Sequence, residues 1–381
     1  MSNSIGFGGM GGLGGLGGLG GLGGLGGLGG LGGLGGLGGL GGLGGLGGLA
    51  EVATFDPVFV DALTKSRDAL IGTFPTGPLL NAVIPNPIDN ALHLKRWTSN
   101  VRLSICQAEL FGPLNFSTQG NSGVFRHLDE TGVANQFAAK SIVTLTRPDK
   151  PLFVKQLNLV MSWASLREDR ANEILTQVVP QVPFWGSIVN LQPHRHKYTL
   201  EIIGLALSLA WQVEMRFKHA FACPRPAEYS PQVQPMIITP GHSSLPSGHA
   251  TEAFTVARVL QSLVGAAPGS ELVSQLQRQA ARIAINRTVA GLHFPVDSAA
   301  GRLLGHTLGS YFVYRCQGQA QYHDRTFDGA QFQGPANAAL DFDYHEPLNN
   351  GSFNVLNGTQ TLTSRSAILK KLWELAKEEW A

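Results

Sequence analysis

Two basic residues, Lys218 and Arg225, are placed where they could bind an anion together. Lys218 ends a strongly apolar segment that begins at Glu201, and Arg225 follows it between Pro224 and Pro226. Two like charges brought close together repel each other, so an anion between them is the simplest reason for the arrangement. Alone, the pair is better explained as two solvated basic residues at a helix end.

A second stretch, Pro246-Ser247-Gly248-His249, precedes a largely apolar helical run over residues 250–264. A turn here delivers backbone NH groups, a hydroxyl and an imidazole to a helix N-terminus, where free amides and the helix dipole favour a bound anion. A serine or glycine in this place is usually only a cap. A histidine gains nothing from the dipole, so a titrating role is predicted for His249.

A third stretch, residues 286–297, contains Arg287, His293 and Asp297. Arg287 ends a predicted helix, Gly291 can stop that helix, and Pro295 can start the next one, so His293 lies in the joint. Asp297 could accept a hydrogen bond from one imidazole nitrogen and leave the other nitrogen to face an electrophile. Such a pair alone is more often structural; its combination with the first two stretches indicates an active site.

The remaining composition argues against several other classes of protein. The net charge of only +2 does not indicate the strongly basic surface that binds nucleic acid. The longest apolar stretch, residues 202–213, is shorter than the roughly 20 residues a membrane crossing needs, and the N-terminus lacks the features of a secretory signal. Three widely spaced cysteines form neither a disulfide framework nor a zinc motif, which fits a reducing compartment. We therefore expect a soluble, cytoplasmic protein without a transmembrane segment or a nucleic-acid partner.

The first 50 residues form a low-complexity leader. Thirteen uninterrupted copies of Gly-Gly-Leu run from Gly11 to Leu49. Ordering so many glycines is costly, so the segment is interpreted as a disordered, flexible leader. The alternative is self-association of several copies through polyproline-II-like bundles with leucine stripes.

Residues 51–381 are predicted to form a single catalytic domain that is all-α, a helical bundle. Helical spacing recurs over residues 55–70, 90–110, 151–178 and 201–218. Residues 317–363 are rich in Gly, Asn, Asp and aromatic side chains, which predicts a loop-rich cover over the domain. Residues 364–381 are amphipathic and predict a C-terminal helix that docks on the body.

Taken in order, the three stretches resemble the signature of the type 2 phosphatidic acid phosphatase and vanadium haloperoxidase superfamily. The matching pattern is Lys with six residues before Arg-Pro, then Pro-Ser-Gly-His, then Arg with five residues before His and three more before Asp. The three-part match is highly specific and directly covers about 80 residues. The Gly-Gly-Leu tract lies outside it.

The resemblance implies a role for each matching residue. Three cations would clamp the equatorial oxygens of a bound phosphate or vanadate, with two further donors: Lys218, Arg225 and Arg287, helped by Ser247 and the amide of Gly248. His293 would be the nucleophile, or the ligand of vanadium, and Asp297 would orient it. His249 would act as the acid and base. Asn286 departs from the pattern, which usually has Ser beside the arginine.

Three functions remain open from the sequence. The first is hydrolysis of soluble phosphate monoesters through a phosphohistidine, without a cofactor. The second is oxidation of halide by hydrogen peroxide with vanadate as the cofactor, which the run His249-Ala250-Thr251 also resembles. The third is a non-catalytic, self-assembling protein in which the leader is the working part.

Overall fold

The computed structural model of the protein describes residues 57–70, 87–133, 135–178, 181–318, 321–363 and 365–381. The Gly-Gly-Leu leader lies outside the described residues, and so does the self-association predicted for it. Within the described part, no helix is both long enough and apolar enough to cross a membrane.

Eleven α-helices are formed by the described residues. They are α1 (Pro57–Leu70), α2 (Ser99–Phe111), α3 (Lys150–Trp163), α4 (Arg167–Thr176), α5 (Val182–Val189), α6 (Lys197–Phe221), α7 (Pro226–Tyr229), α8 (Gly248–Leu263), α9 (Glu271–Val289), α10 (Pro295–Gln317) and α11 (Ala367–Glu378).

The prediction of an all-α fold is wrong, because a mixed five-stranded sheet accompanies the helices. Its strands are β1 (Leu114–Gln119), β2 (Ser122–Glu130), β3 (Phe137–Thr146), β4 (Tyr322–Asp328) and β5 (Asn354–Gln360), adjacent in that order. β3 and β4 pair in parallel and the other neighbours pair antiparallel. The segment predicted as a loop-rich cover thus contributes two strands.

The buried face of β2 explains why the alternation of hydrophobic and polar residues did not predict this strand. Its buried positions include Phe125 but also His127 and Asp129. The imidazole of His127 bonds to the Tyr311 hydroxyl at 2.7 Å, and Asp129 accepts from the Thr363 hydroxyl at 2.7 Å. Because polar side chains that form hydrogen bonds occupy this face, buried and exposed positions alternate along β2 but hydrophobic and polar residues do not.

Helices α6, α8 and α10 form the centre of the core. α6 is buried on most of its faces, as its apolar sequence predicts. α10 approaches α8 along a stripe of Gly301, Gly305 and Gly309, where an added Cβ would clash with the facing helix. This close approach places the N-termini of α8 and α10 side by side, and the Ser247 amide donates to the Asp297 carbonyl at 2.9 Å.

Helix α11 closes the domain by packing against α6. Ser366 caps it by accepting from the Leu369 amide at 3.1 Å. Beyond its end, the Glu379 carboxylate accepts from the amides of Tyr198 and Thr199, each at 2.8 Å. The C-terminal segment therefore satisfies free NH groups at the start of the central helix.

Candidate active site

Five elements deliver the predicted residues to one region of the fold. The ends of α6 and α9 carry Lys218 and Arg287, the N-termini of α8 and α10 carry His249 and Asp297, and the start of α7 carries Arg225. α6 stops where Ala222 adopts a left-handed conformation, and α9 stops before Gly291 does so with φ 78°. These turns send Arg225 and His293 back toward the helix ends.

His293 and Asp297 form a buried pair. The Nδ1 of His293 lies 3.1 Å from Oδ2 of Asp297, and both side chains are almost fully buried. The same carboxylate oxygen accepts from the Phe294 amide at 2.9 Å and from the Ser244 hydroxyl. Burial raises the pKa of Asp297 to about 6, which leaves it mainly ionised at neutral pH. An ionised Asp297 fixes the proton of His293 on Nδ1.

Arg225 shows which nitrogen of His293 carries the lone pair. Its Nη1 lies 3.2 Å from Nε2 of His293. Since a guanidinium can only donate, Nε2 must accept and therefore carries a lone pair. Arg225 is held by the backbone carbonyls of His242 and Leu292, each at 3.0 Å. An imidazole nitrogen with a lone pair and a fixed cation thus lie in direct contact.

Lys218 is buried at the same end of the site and is held by backbone carbonyls. Its Nζ donates to the carbonyls of Ser243 at 3.2 Å and Ser244 at 3.1 Å, and to that of Pro246. Burial lowers the pKa of Lys218 to about 8. With all three of its hydrogens engaged, Lys218 fixes the loop that precedes α8 and contributes positive charge to the site.

The N-terminus of α8 leaves room for a ligand to approach its backbone amides. Ser247 is its cap and accepts from the Ala250 amide at 3.5 Å, so the hydroxyl proton remains free to donate. A Cβ on Gly248 would lie 2.5 Å from Oε1 of Glu214. A side chain here would have to push the Glu214 carboxyl group aside, whereas glycine leaves the amides of the first turn accessible.

Arg287 is the cation with unused donors. Its Nη2 donates to the Ile174 carbonyl at 3.0 Å and to Oε1 of Gln177 at 3.1 Å. Its Nε and Nη1 are buried and have no hydrogen-bond partner among the described residues. Burial lowers the pKa of Arg287 to about 10, which still leaves it charged. Two buried donors without partners are costly unless a ligand accepts from them.

Gln177 contacts both His249, through its backbone carbonyl, and Arg287, through its side chain. The Nε2 of His249 lies 3.0 Å from the Gln177 backbone carbonyl, which can only accept. Nε2 therefore carries the proton, and Nδ1 is the atom left to face a ligand. His249 keeps some exposure to solvent, whereas His293 is almost fully buried.

Both histidines are held in their neutral forms. Burial lowers the pKa of His249 and of His293 well below the usual range, and nearby cations lower both further: Arg287 acts first on His249, and Arg225 first on His293. A bound dianion would oppose these positive charges and raise both pKa values.

Several residues around the site were not found by sequence reasoning. Oε1 of Gln177 accepts from Arg287 and, at 2.9 Å, from the side-chain amide of Asn286. Gln177 therefore connects Arg287 to Asn286, the residue that departs from the family pattern. Ser244 supports Asp297, and Glu214 packs against Gly248. Glu214 lies one helical turn before Lys218, a spacing that could have placed it here. Nothing in the sequence near Gln177 marks it.

Comparison with known protein families agrees with this geometry. The family model of the PAP2 superfamily matches residues 199–322, which include every residue predicted for the site. This match confirms the family resemblance of the three stretches, and it supports an enzyme of the phosphatase or haloperoxidase kind. No curated protein sequence matched the chain.

Proposed function

We propose that this protein hydrolyses phosphate monoesters through a phosphohistidine formed on His293. The observation that carries the proposal is the Nε2 lone pair of His293, fixed by Asp297 on one side and facing Arg225 on the other. A nucleophile in contact with a cation is suited to attack a phosphoryl group, because the cation draws the anionic substrate to it.

Substrate binding uses the donors that the protein leaves free. The two unpartnered nitrogens of Arg287, the Ser247 hydroxyl and the amides at the start of α8 can donate to phosphoryl oxygens. Arg225 adds charge beside the attacking nitrogen. A phosphoryl-transfer transition state carries its negative charge on the equatorial oxygens, where these groups complement it.

In the first step, the Nε2 lone pair of His293 attacks phosphorus and the bond to the leaving oxygen breaks. Nδ1 of protonated His249 gives its proton to the leaving oxygen, which departs as an alcohol. Asp297 stabilises the positive charge that develops on the His293 ring through the hydrogen bond at Nδ1.

In the second step, neutral His249 accepts a proton from water at Nδ1 while the water oxygen bonds to phosphorus. The bond between phosphorus and Nε2 breaks, its electrons return to His293, and inorganic phosphate leaves. The sum is one ester and one water converted to one alcohol and one phosphate. The low pKa of His249 favours its role as the base, and the bound dianion supports its role as the acid.

The alternative activity is a vanadium-dependent haloperoxidase, because the same residues fit vanadate. Arg287 offers two buried donors without partners among the described residues, and the lone pair on Nε2 of His293, which faces Arg225, could serve as a nitrogen ligand. Vanadate bound there would supply activation of hydrogen peroxide for halide oxidation. His293, Arg225 and Arg287 would hold it as they would hold phosphate, and Lys218 would contribute positive charge.

A paired assay on the purified protein separates the two activities. We expect hydrolysis of p-nitrophenyl phosphate without added metal, inhibited by vanadate. Vanadate-dependent bromination of phenol red with peroxide, without appreciable ester hydrolysis, would instead establish the haloperoxidase. Failure of both reactions in a folded protein would favour the non-catalytic reading.

A further inference from the structure

Three arginines lie near His306, in the region between α8, α10 and β4. Arg258 comes from α8, Arg302 and His306 lie one turn apart on α10, and Arg325 comes from β4. The Nε of Arg258 donates across the helix seam to the Ser310 hydroxyl at 3.2 Å, one turn beyond His306. Burial lowers the pKa of His306 well below its ordinary value, and the charges of all three arginines lower it further, so each arginine lies within electrostatic range of the ring.

Within the part of the chain that the structure describes, none of these guanidinium groups forms an ion pair with a carboxylate. Arg302 is only 8% exposed, and its Nε is buried without a hydrogen-bond partner among the described residues. The same is true of Nη1 of Arg325. Asp343 and Glu346 offset the burial of Arg302 only partly, since its pKa still falls to about 10.

Such an arrangement is costly for a protein with nothing bound. Buried arginines are normally paired, and an isolated buried charge or an unmet donor destabilises the fold. Three like charges around one ring also repel each other. An anion at their centre would accept from the free donors of Arg302 and Arg325 and would offset all three charges.

The cluster is separate from the active site. Arg302 lies five residues beyond Asp297 on α10, which is about 7.5 Å along the axis and about 140° around it. One wall of the cluster is apolar: the ring of Phe254 packs on His306 at 5.1 Å, and Phe342 packs on Phe254 at 6.5 Å. Low polarity beside the cations strengthens their attraction for an anion.

We propose that Arg258, Arg302, His306 and Arg325 form a second anion site, which binds a small dianionic oxyanion such as inorganic phosphate. The guanidinium forks suit phosphate oxygens, and His306 completes the cluster as a neutral donor. This proposal does not depend on the activity of the His293 site, because no residue is shared between the two.

The test follows the ring resonances of His306 by NMR while inorganic phosphate is added to the full-length protein at constant ionic strength, with chloride as the balancing anion. We expect a saturable shift of these resonances. The Arg225→Gln variant, which alters the active site alone, should show the same shift. If His306 does not respond to phosphate in the wild-type protein, the proposal is wrong.

The double variant Arg302→Gln, Arg325→Gln should weaken this binding by about tenfold or more. Arg278→Gln is the matched control, since Arg278 is an exposed helix arginine in a surface ion pair. Because neither substituted arginine has an ion-pair partner in the described part of the chain, we expect the double variant to melt no lower than the wild type without phosphate. The single variant Arg302→Gln serves if the double one does not fold. Unchanged affinity in a folded variant would contradict the proposal.

Phenylphosphonate, titrated in the same way, distinguishes two sources of the anion. Binding of this compound would assign the site to the phosphoryl group of larger molecules. Its exclusion, with phosphate still bound, would assign the site to free phosphate. Both results support an anion site. The proposal is overturned if phosphate does not shift the His306 resonances, or if the folded double variant binds phosphate as tightly as the wild type does.

Discussion

At the scale of single residues, hydrogen bonds to groups that can only donate or only accept fix the tautomers of the two histidines. His293 is an acceptor at Nε2 because its partner is a guanidinium, and His249 is a donor at Nε2 because its partner is a carbonyl. The two rings therefore present different nitrogens to a ligand. The sequence predicts which histidines belong to the site, but only their hydrogen-bond partners show which nitrogen of each carries the proton.

Asp297→Asn tests the orientation of the nucleophile. The amide keeps the shape of the side chain but no longer stabilises the charge on His293, so turnover of p-nitrophenyl phosphate should fall by about 10²- to 10⁴-fold. Circular dichroism should show an unchanged fold. Retention of full turnover would mean that His293 is not oriented through Asp297.

Gln177→Leu tests the support of Arg287. Loss of the side-chain acceptor frees the guanidinium to move, so we expect KM for the ester to rise about tenfold with a smaller change in kcat. Gln232→Leu, at an exposed position, is the control. An equal effect in both variants would show that Gln177 has no special role.

Glu214→Gln tests the protonation of a buried carboxyl group. Burial and the neighbouring Glu252 raise the pKa of Glu214 well above its ordinary value of 4.5, and neither oxygen has a hydrogen-bond partner among the described residues. The folded protein then holds a proton that the unfolded chain releases, so stability falls as pH rises from about 4.5 toward the raised pKa.

The glutamine variant lacks this loss of stability. From about pH 5 to pH 8, its free energy of unfolding should rise by about 1–3 kcal/mol relative to the wild type, as measured by urea denaturation at each pH. Glu378→Gln is the exposed control. A difference that does not change with pH would show that Glu214 is ionised in the folded protein.

Secondary-structure elements were predicted well where apolar spacing is strong and poorly where buried positions are polar. The long apolar run of the central helix α6 predicts a buried helix. The starts of α8 and α10 were predicted from the turn and cap residues that precede them. β2 buries His127 and Asp129, so its alternation is invisible in hydrophobicity. Gln177 was missed for a different reason: it contacts Arg287 across 110 positions of the chain.

Gly305→Ala tests the contact between α8 and α10. Gly305 faces the Thr251 carbonyl so closely that a methyl group forces the helices apart, which should cost about 1–3 kcal/mol of stability and reduce activity. Thermal denaturation and the ester assay report the two effects. At the exposed Gly241, nothing lies within 4 Å of an added Cβ, so Gly241→Ala should leave stability almost unchanged. If Gly305→Ala is equally neutral, the helices do not need this close contact.

On the scale of the whole molecule, the segment that matches the PAP2 superfamily carries every residue that the sequence predicted for the site, while most of the sheet and α11 lie outside that segment. β4 packs on α10, and α11 packs on both α6 and α10. The sheet and α11 thus contact two of the helices that carry residues of the candidate site. Their strands were the part of the fold that sequence patterns did not predict.

Deletion of residues 1–49 tests whether the leader takes part in catalysis. Every residue assigned to the site lies between Gln177 and Asp297, so we expect unchanged kcat and melting temperature. Light scattering of both forms measures any self-association through the Gly-Gly-Leu repeats. Loss of activity in a folded, truncated protein would show that the leader contributes to the site or to a required assembly.

The most direct test of the central claim is to trap the phosphoenzyme. In His249→Ala, p-nitrophenolate can leave without a proton but water is no longer activated, so radiolabelled phosphate from the substrate should accumulate on the protein, one per chain. The label should be stable in base and labile in acid, as a phosphohistidine is, and should be absent when His293→Ala is added. Hydrolysis that continues without His293, or with no covalent label at any stage, would contradict the mechanism.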